Sequence, residues 1–488
     1  MQRLLSKVSA EVRLLGRVFC FALAVLLAAV APAKADTIVL KNGRRIVALS
    51  VVEEGDKVRY QTPAGELTLP KSIVDHIEKG SAPMPDSPAA AAANLKITPP
   101  TMEASAAIEK STVHDGAIDR EYLAKVEGEA RSRSSEANGV AALALHAAAQ
   151  FELSRGDTEH ALADERTALT YAPEDPVILM NVAYLHLRRS EYKASVEYLE
   201  RARSVAPDNP DVAKLAGWAY YGTNKLDEAV REWQRALALR PDAEVQRALD
   251  KAQRDRREEE NYRENESSHF TLRYSGGAQP DLAREILRAL EAHFSAIESE
   301  LNFTPPDPIA VILYTDQAFA DITRAPSWAG AINDGRIRVP VQGLTNLTPD
   351  LSRVLKHELT HSFIQQKTHG RAPTWVQEGL AQWMEGQRSG GNFNVLVQIY
   401  DQKQFMTLEE LEGPWMRLPG DVASYAYAWA LANIEYIVQA DGMSDLERIL
   451  NRIAAGSTTE AAVQETLHSN YDELMLSTVN YLKKNYGR

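Results

Sequence analysis

The sequence predicts a multidomain, mainly α-helical protein with a small N-terminal β module, a helical repeat solenoid and an α+β C-terminal domain. Three observations predict it. Short alternating strands between Gly-containing turns fill residues 36–79. Pro173, Pro207 and Pro241 recur at a constant step of 34 residues within helical patterns. From Ser267 onward, strand and helix periodicities alternate and then give way to helices. A chain of 488 residues is too long for one ordinary core, so several domains are required.

The chain opens with Arg3, Lys7, Arg13 and Arg17, an apolar stretch from Val18 to Val30, and Ala33-Lys34-Ala35 before Asp36. A basic start, a short apolar run and small residues at a cleavage position predict a signal peptide over 1–35. An uncleaved membrane anchor is the rival reading, against which the stretch is short and Ala-rich. Removing residues 1–35 takes five basic residues and one acidic one from a chain of net charge −13, leaving about −17. That balance argues against nucleic acid or an anionic membrane surface as partner, and no stable membrane insertion is expected after signal removal. The one cysteine, Cys20, lies inside the apolar stretch, so the mature chain has no thiol and no disulfide to hold it. The predicted location is the periplasm or the cell exterior.

In residues 36–79, Thr37–Leu40, Arg45–Val52, Val58–Tyr60 and Leu67–Leu69 alternate with Asn42-Gly43, Glu54-Gly55-Asp56 and Pro63-Ala64-Gly65. This pattern of hairpins predicts a small barrel or curled sheet, resembling SH3-like modules. Residues 80–110, rich in Pro and Ala, read as a linker. Residues 111–266 then carry the helical repeats with flanking helices. Tyr171-Ala172-Pro173-Glu174-Asp175-Pro176 matches Val205-Ala206-Pro207-Asp208-Asn209-Pro210, and small residues recur at Ala161, Ser195 and Ala229 and at Ala168, Ala202 and Ala236. The 34-residue period resembles tetratricopeptide repeats, with three units over 142–241. The resemblance implies a protein partner, or the C-terminal domain, bound through a concave helical face. A polar helix from Asp242 to about Glu266 is expected to cap the stack.

The C-terminal domain, 267–488, holds the chemistry. His357-Glu358-Leu359-Thr360-His361 places two imidazoles one helical turn apart, able to bind one Zn²⁺ with Glu358 beside the open position. The helix is punctuated as the geometry requires: Thr348 can cap it, Pro349 and Asp350 suit its first turn, and Gly370 can close it. Two histidines leave zinc short of a third protein ligand. Ile364 and Lys367 stand where the metzincin pattern wants Gly and His, which excludes that class. A glutamate on the next helix is the other route, and Thr374-Trp375-Val376-Gln377-Glu378-Gly379-Leu380-Ala381 starts such a helix.

With the Trp-x-x-Glu-Gly-Leu-Ala stretch beside His-Glu-x-x-His, residues 267–440 resemble the gluzincin zinc metallopeptidases, most closely the peptidase MA-like family. The resemblance implies His357, His361 and Glu378 as zinc ligands and Glu358 as the general base that moves a proton from water to the leaving amine. Glu385, two turns beyond Glu378, is a competing third ligand without the motif context. Gly330 to Val341 resembles the edge strand that pairs with an extended peptide substrate. Tyr425 is favoured to bind the oxyanion, with Tyr427 and His369 as alternatives. The resulting expectation is an exported zinc metallopeptidase acting on peptides or proteins. Its alternatives are a catalytically degenerate repeat scaffold, whose mark would be loss of Glu358 or a ligand, and a hydrolase of another amide.

Overall fold

The computed structural model describes residues 35–82 and 106–487, apart from 42–44, 49, 56, 63, 64, 132, 133, 276–279, 316, 317, 320–330, 342, 343, 414 and 416–419. The expected signal peptide, save Ala35, and most of the expected linker lie outside the described residues. The N-terminal module has six strands: β1 (Ala35–Leu40), β2 (Arg45–Ala48), β3 (Ser50–Glu54), β4 (Lys57–Thr62), β5 (Gly65–Pro70) and β6 (Val74–Ala82). They form two antiparallel three-stranded sheets, ordered β2-β1-β6 and β3-β4-β5. The run Arg45–Val52, expected as one strand, divides between the two sheets, so the chain turns a corner there. Ile38, Val51, Val58, Tyr60 and Val74 form the small core between them.

The repeat region follows a short helix α1 (Ala106–Thr112) and the hairpin β7 (Val113–His114) and β8 (Ala117–Ile118). Its helices are α2 (Arg120–Ala130), α3 (Ser135–Ser154), α4 (Thr158–Tyr171), α5 (Pro176–Arg188), α6 (Tyr192–Val205), α7 (Pro210–Gly222), α8 (Leu226–Leu239) and α9 (Ala243–Glu259). Asp175 and Asn209 cap α5 and α7 by accepting from the amides of Val177 and Asp211 at 2.8 Å, and Pro176 and Pro210 occupy the first turns. Ala161, Ser195 and Ala229 are fully buried where paired helices approach, which explains why only small residues recur there. The turns inside the units also repeat: Gly156, Ser190 and Asn224 all have positive φ, and all are 34 residues apart.

The C-terminal domain begins earlier than the polar sequence suggests. Residues expected to extend the capping helix to Glu266 instead form β9 (Tyr262–Glu266), which pairs antiparallel with β10 (Phe270–Ser275). Sheet pairing here overrides the helical reading of a polar, charged stretch. After α10 (Pro280–Leu301) come β11 (Ile309–Tyr314), β12 (Ile332–Asn333) and β13 (Ile337–Pro340), giving the order β12-β13-β11-β10-β9. The domain continues with α11 (Pro349–Lys367), α12 (Thr374–Met384), α13 (Phe393–Asp401), α14 (Gly420–Ala440), α15 (Met443–Ala454), α16 (Thr459–Leu467) and α17 (Tyr471–Tyr486). One sheet face, with Val311, Leu313, Ile337 and Val339, shares a core with α10, α11 and the later helices. The other face carries Ile312 and Tyr314 and, in register with Ile312, Arg338. No described helix is long and apolar enough to cross a membrane. The whole is a mainly helical, multidomain molecule with small N-terminal β sheets and an α+β C-terminal region.

The repeats and the C-terminal domain meet along the turn edge of the stack and the capping helix α9. Arg371 donates to the Gly156 carbonyl at 2.9 Å, and His369 Nδ1 lies 3.2 Å from Thr158 Oγ1. One unit later the Lys193 amide donates to Asp307 at 3.1 Å. At the third turn Asn224 accepts from Arg336 at 2.7 Å. The expectation of docking through a concave helical face is therefore corrected for the contact with this domain. The left-handed turns protrude at equal intervals, so it is their 34-residue spacing that makes a regular docking edge.

Candidate metal centre

The helix α11 forms for the local reasons anticipated. Thr348 Oγ1 accepts from the Leu351 amide at 3.0 Å, Pro349 begins the first turn, and Gly370 at φ +72° lets the chain leave the helix. His357, Glu358 and His361 lie on it; Glu378 lies in the middle of α12. What seats α12 is the glycine after Glu378. A Cβ on Gly379 would stand 2.4 Å from the Ala430 carbonyl oxygen of α14, so only glycine allows this helix contact. Gln382 ties the same pair by donating to the carbonyls of Glu378 and Tyr427 at 3.1 and 3.0 Å.

The helices converge three donors. Glu378 Oε2 lies 3.6 Å from His357 Nε2 and 3.7 Å from His361 Nε2, and one ligand atom from each residue falls within 4.8 Å of the others. Donors about 2.0–2.1 Å from a tetrahedral zinc stand roughly 3.3–3.5 Å apart, close to these separations. Neither ring nitrogen of His361 has a hydrogen-bond partner, although the residue is only 3% exposed. Glu358 Oε2 is likewise buried without a partner. Buried polar atoms are ordinarily satisfied, so these orphans mark a place for something the protein binds. A nitrogen, nitrogen, carboxylate set suits zinc, and the site opens towards solvent at His357, whose side chain is 18% exposed.

The electrostatics point the same way. Burial works against a charged His357, but Glu378 and Glu385 outweigh it and hold its pKa well above the usual value. Burial brings His361 down to about 4, with Glu378 opposing. Burial also raises Glu358 to about 7, against the pull of His357. Two carboxylates thus draw one positive charge to this spot, and a carboxylate near neutrality stands beside it.

Glu385 lies on the other side of His357, 3.7 Å from Nδ1, while Nε2 faces Glu378. From there it can orient the imidazole, while Glu378 is the carboxylate grouped with both histidines. His369 lies elsewhere. Its contact with Thr158 puts it in the repeat dock, and burial lowers its pKa to about 4. Tyr425 is half-buried on α14, and no described contact joins it to the trio. Tyr427 packs edge-on against Trp415, and its backbone carbonyl anchors Gln382. Sequence reasoning missed Asn333. From the edge strand β12 it donates to the Glu358 carbonyl at 2.8 Å and to Ser362 Oγ at 2.7 Å, fastening the strand to α11. An asparagine just before an Asp-Gly turn gave no signal of that contact.

Comparison with known families agrees with this geometry. Residues 296–482 match the model of the Peptidase MA superfamily, and residues 186–252 match that of the tetratricopeptide repeat. The chain carries a Peptidase MA superfamily domain joined to a tetratricopeptide repeat region. Similar solved structures include the first TPR of Spaghetti (RPAP3) bound to an HSP90 peptide, 22% identical over 23% of this chain and 91% of that one, with TM-score 0.23. Another is MamA MSR-1 C2, 16% identical over 28% of this chain and 82% of that one, with TM-score 0.23. No curated protein matches the chain.

Proposed function

We propose that this chain is an exported zinc-dependent metallopeptidase that hydrolyses peptide bonds, with its repeats serving protein–protein interaction. The observation that carries the reading is the trio of His357, His361 and Glu378 on adjacent helices, with Glu358, its Oε2 unpartnered, beside it inside a Peptidase MA domain. His357, His361 and Glu378 would hold the ion. Zinc there supplies a Lewis acid that polarises the scissile carbonyl and acidifies water. Glu358 takes a proton from the attacking water and returns it to the leaving amine. Glu385 keeps His357 turned towards Glu378. The outer edge of β12, packed on α11, offers backbone groups to an extended peptide, and Tyr425 is the candidate for the oxyanion.

A degenerate scaffold would have lost a ligand or the base, and all four residues are present. Export rests on the basic and apolar start of the chain and the Ala33-Lys34-Ala35 site; N-terminal sequencing of secreted material should begin near Asp36. For the chemistry, zinc analysis of the purified mature protein should give about one ion per chain, with chelator-sensitive cleavage of a mixed peptide library. A zinc-free protein that cleaves nothing after zinc reloading would overturn the proposal.

A further inference from the structure

The hairpin of β12 and β13, fastened on one side to α11, is gripped on the other by the repeat region. Arg338, fully buried, donates from Nη1 and Nη2 to Asp255 Oδ1 and Oδ2 at 3.2 and 2.8 Å, and from Nη2 to the Tyr221 hydroxyl at 2.8 Å. Tyr221 in turn donates to Asp255 at 2.7 Å. Arg336 donates to Asp255 at 3.2 Å, Glu259 at 2.6 Å and Asn224 at 2.7 Å. At the tip, Asp334 accepts from Arg338 Nε at 3.1 Å and from Lys251. Asp255, Glu259 and Lys251 lie on the capping helix α9, and Tyr221 and Asn224 come from the third unit.

The hairpin could not hold itself. β12 is two residues long, Asn333 pairs with Ile337 and Ile332 with Arg338, and a strand pair of that length is marginal without outside support. Beyond the pairing of β13 with β11, side chains support it from two directions. Asn333 reaches the backbone of Glu358, and Arg336 and Arg338 reach the repeats. The second set is buried charge, stable only while its dense pairing holds, so it favours one geometry.

We propose that Asp255 and Tyr221 of the repeat region are positioning residues of the catalytic site, fixing the β12 edge against which the substrate lies. This rests on the peptidase reading above and deepens it: the repeats belong to the substrate site and are not a detachable adaptor. An isolated C-terminal domain would keep its three metal donors and lose the grip on its substrate edge.

The test compares Asp255→Asn, Tyr221→Phe and a control, Glu165→Gln, in the full chain. Glu165 pairs with His146 at 2.7 Å inside the first unit, away from the dock. Hydrogen exchange at amides 332–339, measured without metal or substrate, should rise at least about tenfold in Asp255→Asn and less in Tyr221→Phe. Bound zinc should remain stoichiometric, with KM for a long peptide raised about tenfold and kcat changed less than about threefold. Glu165→Gln should lower the unfolding midpoint and move neither exchange at the hairpin nor KM. Unchanged exchange and KM in a folded Asp255→Asn, or equal changes in the control, would overturn the proposal; should Asp255→Asn not fold, Tyr221→Phe decides. A wild type without zinc or turnover would refute the peptidase reading instead, and the exchange arm still tells whether the repeats hold the hairpin.

Discussion

Two clusters of buried charge lie on either side of the β12–β13 hairpin, and they differ in how far their polar atoms are satisfied. At the dock, Arg338 and Asp255 are fully buried, and each oxygen of Asp255 accepts a hydrogen bond. At the metal centre, His361 is as deeply buried, but neither ring nitrogen has a partner and Glu358 Oε2 has none. The first arrangement is paired within the chain at every group but Arg336 Nε, and it resists change. The second is complete only with something bound. Burial and charge are common to both, so neither identifies a functional site by itself. Unsatisfied donors and acceptors converging on one point do.

The two clusters should therefore respond to mutation differently. His361→Ala should have the largest effect at the metal centre. It should lower zinc affinity by well over about a hundredfold and abolish turnover, because one imidazole and one carboxylate leave the site one of its three protein donors short. Metal titration and turnover on the same preparation check it; undiminished zinc binding would break the assignment. Asp255→Ala at the dock should instead cost roughly 3–5 kcal/mol of stability, since it leaves two buried guanidinium groups without their shared partner. Denaturant unfolding measures this, and a cost below about 1 kcal/mol would mean the cluster is solvated in solution.

Smaller effects sharpen the contrast. Glu385→Gln should weaken zinc by about 10–100-fold without removing a ligand, as expected of a residue that orients His357. A loss as complete as that of Glu378→Ala would make Glu385 a ligand after all. Acid should act on the dock before any metal is considered. Asp255 is buried, but Arg338 and Arg336 hold its carboxyl below the usual range, and Arg338 and Lys251 do the same for the buried Asp334. Carboxyls with depressed folded pKa values contribute stability that is present above about pH 4 and is lost as pH falls through their folded values. The dock contribution, read as the difference between wild type and Asp255→Asn, should thus be constant from pH 7 to about 5 and shrink below about pH 4.

The two clusters also differ in how legible they were. His357, Glu358 and His361 fall within five consecutive residues, and helical geometry alone puts the imidazoles on one face. Glu378 was found because the next helix starts with its own motif, and Gly379 explains why that motif contains a glycine. The repeat was legible because a 34-residue step is a property of sequence, though the docking role of Gly156, Ser190 and Asn224 was not. The dock was invisible because Arg338 and Asp255 are 83 residues apart and nothing local relates them. Arg336-Ile337-Arg338-Val339 could pass for a strand with one wet face, whereas that face is buried against α9. The same blindness extended β9 into the capping helix: Tyr262–Glu266 is polar throughout, and only its pairing with β10 makes it a strand.

The central claim, that the incomplete cluster is a metal site whose neighbouring carboxylate does the chemistry, is tested most directly by Glu358→Gln. Glutamine keeps the size of the side chain and removes its basicity. Zinc content and turnover measured together should show stoichiometric metal and a rate reduced by at least about a hundredfold. Turnover equal to wild type in the zinc-loaded variant would contradict the account.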